Sequence, residues 1–519
     1  LSARQQKMLG LLKELAKIAW SWLNHAPSFL PLWALLVVGF ANATALAFTT
    51  EARSIVRISV SSTSPPRLLV EGVSAKGSPN WSFPKTYGGL IGLGERIDGL
   101  ALAGADNKPI DVRRLVPGEY RAEAPATRFR YEVDLARPAL SEDSAHISWL
   151  TSERGLIMLG DVLPLSLTEK SQAAGLVQLT IDLPAGWLVS SAEKQLSNTE
   201  FETVDAERAI FLVGKDLQRL TSSVRGVEFT VVTTGGWAFS SQELQALAQT
   251  ILESHASSFG GIPGKTALLV LSPFPRPEGA QRWSAETRGA TVVLLSGLQP
   301  SKTAALVQLG VPLTHELFHL WVPNGLALEG DYDWFYEGFT IYQAMIAGQR
   351  LNNVSFQDFL TSVARAFDIY AAVADRDRFS LIEASQRRWT TSASLVYQKA
   401  MLVALLYDLT LRSKSGGKRS LDDVYKEIFR KHRTGLKPGQ GNDAVISAMS
   451  SFPGMEDFAK EYVQNPRSID LTGSLAPFGL RVEKFGLRTR ITVAESLSRA
   501  QRDLLRRLGY NGETKPGHR

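Results

Sequence analysis

The chain reads as an α+β protein: a β-rich N-terminal region, a mixed middle that carries the chemistry, and a mostly helical C-terminal region. Three observations predict this. Over 53–220 apolar and polar residues alternate with the period of a strand, as in Ser54-Ile55-Val56-Arg57-Ile58-Ser59-Val60 and Phe129-Arg130-Tyr131-Glu132-Val133-Asp134-Leu135. From 355 to about 465 the pattern turns helical, with Ser355 and Ser420 as caps. Between them a strand, a helix near 240–256 and a strand over 267–271 precede two short helices rich in titratable residues. At 519 residues, 44% of them hydrophobic, the chain is long enough for two or more domains with full cores.

The ends come first. Residues 1–25 carry Arg4, Lys7, Lys13 and Lys17 against Glu14 alone, and 26–50 are uncharged, apolar from 32 to 40 and ending in Ala43-Thr44-Ala45-Leu46-Ala47. That is the layout of a signal peptide cleaved after Ala47, with an uncleaved membrane anchor as the alternative; Met8 is a candidate start. Export to a bacterial periplasm or the medium is expected, and membrane contact only through this segment. The chain has no cysteine, which excludes a disulfide framework, a cysteine nucleophile and a thiolate metal site. Of its net charge of +6, much sits at the tail: residues 480–519 hold ten Lys or Arg against four acids. Arg499, Arg502, Arg506 and Arg507 fall in a helix-like stretch, 494–508, read as a solvated face packed on the body. No aromatic residues interleave with these arginines, so nucleic acid is not an expected partner.

The β-rich region, 48–225, is punctuated by turn signals such as Pro65-Pro66 and Gly88-Gly89. The middle, 226–415, contains His315-Glu316-Leu317-Phe318-His319. Histidines four apart on a helix share a face, so both imidazoles reach one ion. Pro312 suits a first helical position and Pro323 a stop, which places the motif on a helix near 312–321. Glu337, in Trp334-Phe335-Tyr336-Glu337-Gly338-Phe339-Thr340, is the natural third ligand; Glu329 and Asp331 are rivals in the connecting loop. Asp331 or Asp333 can cap a second helix running to about 347. One Zn2+ per chain, held by His315, His319 and Glu337, leaves Glu316 free as general base. The bland alternative is a surface helix with two solvated histidines.

The two histidines and distant glutamate resemble the gluzincin metallopeptidases. Within them, the phrase from Tyr336 to Tyr342 resembles the glycyl aminopeptidase family, as do Val396-Tyr397-Gln398-Lys399-Ala400, the apolar helix to Asp408-Leu409 and Arg412, and Gly416-Gly417-Lys418-Arg419-Ser420-Leu421. The resemblance covers roughly 225–470 well and 55–220 loosely. It implies a thermolysin-like catalytic domain whose helical C-terminal part spans 416–470. It also implies that Tyr397 donates a hydrogen bond to the oxyanion; on spacing alone Tyr397 is equally a core tyrosine, as Tyr407 is read to be. Relatives bind the substrate amine with a glutamate on a glycine-rich edge strand, and Glu286 in Ser284-Ala285-Glu286-Thr287-Arg288 falls there. The glycines before it and the histidine after it are replaced, so a solvated loop glutamate is the alternative. The basic extension 471–519 is too short for the PDZ-like domain of many relatives. The expected activity is hydrolysis of peptides, as an aminopeptidase, with internal cleavage from an open cleft or a non-catalytic peptide-binding protein as the other readings.

Overall fold

The computed structural model describes residues 53–168 and 176–512; the expected signal segment, 1–47, lies outside them. The described residues group as one compact unit. Its first part is a nine-stranded sheet in which Ser54–Thr63 pairs antiparallel with Pro66–Ser82 and parallel with Val177–Asp182. The strand alternation has its expected consequence. Val56 and Ile58 face inward at 0% exposure, while Ile55 and Arg57 face out. Val70, Trp81, Phe129, Tyr131 and Val133 from the neighbouring long strands complete that core.

A second sheet of four short strands is apolar on both faces, and Ile210–Gly214 is buried at every position. Phe211 and Val213 join the first core, whereas Ile210 and Leu212 pack against Val232, Val270 and Val293 of a third, five-stranded sheet. Such a strand reads as a continuous apolar run rather than an alternation.

The third sheet has the order Gln218–Val224, Val227–Thr233, Thr266–Pro273, Thr291–Ser296, Trp283–Arg288, the last being an antiparallel edge. Its free face is covered by the helix Ser241–Phe259, capped at Ser240, and by the motif helix Lys302–Phe318. Helices then dominate from Thr340 to Ser450. The fold is therefore α+β with strands early and helices late.

Three local expectations are corrected. The motif helix begins ten residues before Pro312, because the Ser301 hydroxyl accepts the Ala304 amide and starts it at Lys302. Pro312 lies inside; burial of Leu309, Leu313 and Leu317 outweighs the ~3 kcal/mol an internal proline costs. Asp333 caps nothing: its residue is already helical, and its carboxylate accepts from Arg388 instead. The segment Trp334–Phe339 is a wide π-type turn that enters the helix Thr340–Arg350. Glu286 lies on the edge strand Trp283–Arg288, where the resemblance puts it. The stretch read as one helix from 494 narrows to Arg499–Arg506, capped by Ser498, with Leu504 and Leu505 buried. Before it, Leu480–Phe485 and Arg488–Val493 form a hairpin tied down where Thr489 donates to Asp368. Among the described residues no helix is long and apolar enough to cross a membrane.

Candidate active site

His315 occupies the last turn of the motif helix and His319 its C-cap, where the backbone is still helical. Both imidazoles therefore lie on one face, with their Nε2 atoms 3.0 Å apart. The His319 Nδ1–H donates to the Val322 carbonyl at 2.8 Å, which leaves Nε2 as the ring nitrogen that faces the site. Glu337 is carried on the π-type turn opposite. Its Oε2 stands 3.6 Å from His315 Nε2 and 3.8 Å from His319 Nε2.

Donor atoms about 2.0–2.2 Å from one tetrahedral zinc stand about 3.3–3.5 Å from each other. The three observed separations bracket that span, and two imidazoles with a carboxylate are a zinc donor set. The residues fit the ion. Glu316 also brings a carboxylate oxygen within 4.8 Å of the imidazole nitrogens. It is the poorer third ligand, because its Oε2 accepts the Thr287 hydroxyl at 2.7 Å while Glu337 Oε2 faces both histidines. Glu329 and Asp331 are exposed and stand outside the cluster, Glu329 in a short strand pair with Gln440.

Gly338 explains how Glu337 reaches the site. A Cβ there would collide with Ala400 and with the Val396 carbonyl, so only glycine lets this turn press against the segment that carries Tyr397. Arg388 then joins the two. Its NH1 donates to Asp333 Oδ1 at 2.8 Å and its NH2 to Glu337 Oε1 at 2.8 Å and to the Tyr397 hydroxyl. Burial alone would raise the Glu337 carboxyl. The Arg388 guanidinium and the two imidazoles outweigh it and pull the group down to about 2. Burial and the Glu337 charge push the Tyr397 phenol well up, so it stays a proton donor.

Glu286 sits one residue from Thr287 on the edge strand and is not free. Tyr87 donates to its Oε1 at 2.8 Å, His146 Nδ1 contacts its Oε2, and Arg288 Nε lies 3.7 Å away. Burial would raise this carboxyl too, but His146, Arg288 and Tyr87 together pull it down to about 2. Asn324 ties this strand to the motif: its side chain accepts from the Gly289 amide and donates to the carbonyls of Thr287 and His319.

The structure thus gathers His315, His319, Glu337, Glu316 and, through Arg388, Tyr397, with Glu286 alongside. Sequence reasoning missed Arg388, Thr287, Asn324, Tyr87 and His146. Thr287 was readable as the neighbour of Glu286 on a strand. For Arg388, one of a basic pair fifty-one residues beyond Glu337, the sequence carries no signal.

No protein-family model matches the chain, and no curated protein matches it. Solved structures do. An aminopeptidase N family protein from Idiomarina loihiensis aligns with a TM-score of 0.70 at 19% identity, over 83% of this chain and 79% of that one. An M1 zinc metallopeptidase from Deinococcus radiodurans aligns at 0.51 and 13% identity, over 81% and 95%. A mutant of an M1 zinc metallopeptidase from the same organism, bound to a Tyr-Ser-Ala substrate, aligns at 0.51 and 12%, over 81% and 94%. At such identities the likeness establishes the fold, and this chain has the fold of those three structures.

Proposed function

We propose that this protein is a zinc-dependent peptidase that removes residues from peptide amino termini. One observation carries the reading: two Nε2 atoms and one carboxylate oxygen converge at zinc-site separations, with Glu316 beside them. His315, His319 and Glu337 would hold a zinc ion, which would supply Lewis acidity at the reacting carbonyl and water. Glu316, oriented by Thr287, takes the proton from the attacking water and returns it to the leaving amine. Tyr397 donates a hydrogen bond to the oxyanion as the carbonyl becomes tetrahedral. The fold shared with the aminopeptidase N family structure, and the phrases resembling glycyl aminopeptidases, support action at the amino terminus. Export is proposed from the sequence of residues 1–47.

Internal cleavage is the second reading, and one observation favours it. Both oxygens of Glu286, the proposed amine anchor, already have partners in Tyr87 and His146.

Replacing Glu316 by Gln tests the mechanism. The reading expects peptide turnover to vanish while zinc stoichiometry stays at one per chain; a fully active Glu316→Gln chain overturns it.

A further inference from the structure

We propose that Arg388 is a positioning residue of this site: one guanidinium nitrogen selects the Glu337 oxygen that faces the histidines and turns the Tyr397 proton toward the substrate. The inference rests on the peptidase reading above and adds a residue to it.

The chemistry of guanidinium decides the direction of each bond. It has only donors, so in its contact with Tyr397 the phenol oxygen accepts. The phenol proton then points away from Arg388 and is available to an oxyanion. In the contact with Glu337 the guanidinium occupies Oε1, leaving Oε2 toward His315 and His319. One nitrogen therefore sets the orientation of a metal ligand and of an oxyanion donor at once.

Arg388 can do this because it is itself immobilised. Asp333 accepts from its other nitrogen at 2.8 Å, and the guanidinium carbon lies 4.1 Å from the centre of the Trp389 ring. Its side chain is 8% exposed. Ligand-orienting partners of this kind change metal affinity by about 10–100-fold when removed. An arginine placed only to balance Asp333 and Glu337 has no need to reach the Tyr397 hydroxyl as well.

The test uses the full chain, stripped of metal for the affinity titration and reloaded with zinc for the assay. Zinc affinity is measured by competition with a chromogenic chelator, kcat and KM on a short peptide, and folding by circular dichroism. For Arg388→Ala we expect the zinc dissociation constant to rise about 10–100-fold. We also expect kcat to fall with KM near the parent value, and millimolar guanidinium to restore part of kcat. If Arg388→Ala does not fold, Asp333→Ala serves: it removes the acceptor at the far end of the arginine without touching Glu337 or Tyr397, and should move both quantities the same way by less. A folded variant with parental zinc affinity and kcat overturns the assignment alone. A parent chain that binds no zinc overturns the functional reading with it.

Discussion

Thr287 donates its hydroxyl to Glu316 Oε2 at 2.7 Å, so the edge strand of the third sheet reaches the carboxylate assigned as general base. The same strand presents Glu286 on its alternate face. One strand thus carries Glu286 and reaches Glu316.

Replacing Thr287 with Val keeps the shape and removes the donor. A hydrogen bond to a charged group is worth about 1.5–3 kcal/mol, so kcat is expected to fall about tenfold or more. KM should stay near its original value, as steady-state kinetics on one peptide will show.

Tyr397→Phe removes the proposed oxyanion donor without opening a cavity. Loss of such a donor costs about 100-fold in kcat. Zinc affinity should change little, because the Arg388–Glu337 bond remains. A Phe variant within twofold of the parent would return Tyr397 to the role of a packed side chain.

Glu286→Gln separates the two substrate readings. If the carboxylate anchors an α-ammonium, kcat/KM for free-amine peptides falls by about tenfold or more, the worth of a charge-assisted bond, while acetylated peptides are unaffected. Equal losses on both would assign Glu286 to holding Tyr87, His146 and Arg288 together.

His255 gives stability a pH dependence of its own. Its Nε2–H donates to the Thr314 carbonyl at 2.9 Å, its Nδ1 has no partner, and Phe259, Phe318 and Trp321 surround the ring. Burial pushes its pKa from 6.5 down to about 4. Between those values the unfolded chain binds the extra proton, so stability rises with pH from about 4 to 6.5 and is lost as pH falls through that window. The full contribution is on the order of 3 kcal/mol. Urea titrations at pH 4.5 and 7 should differ less for His255→Gln than for the parent.

The legible parts of this protein were those whose information is local. Strand alternation placed Val56 and Ile58 inside, and the four-residue spacing of His315 and His319 placed both imidazoles on one face. Tyr407, read as core, is fully buried with its hydroxyl on the Met449 carbonyl. Local signals also misled where a distant partner competed. Asp333 looks like a helix cap but serves Arg388, and Pro312 looks like a helix start but sits inside a helix held by packing. The partners of Glu286 come from 199 and 140 residues away, a pairing that only the docking of the N-terminal region against the third sheet creates.

Zinc-dependent removal of residues from peptide amino ends can be read from the products, by mass spectrometry of a mixed peptide pool incubated with the chain, with and without a zinc chelator. Ladders shortened from the amino end that disappear with the chelator are expected. Internal cuts would contradict the assignment of Glu286 as amine anchor, and an untouched pool beside a zinc-loaded chain would contradict the peptidase itself.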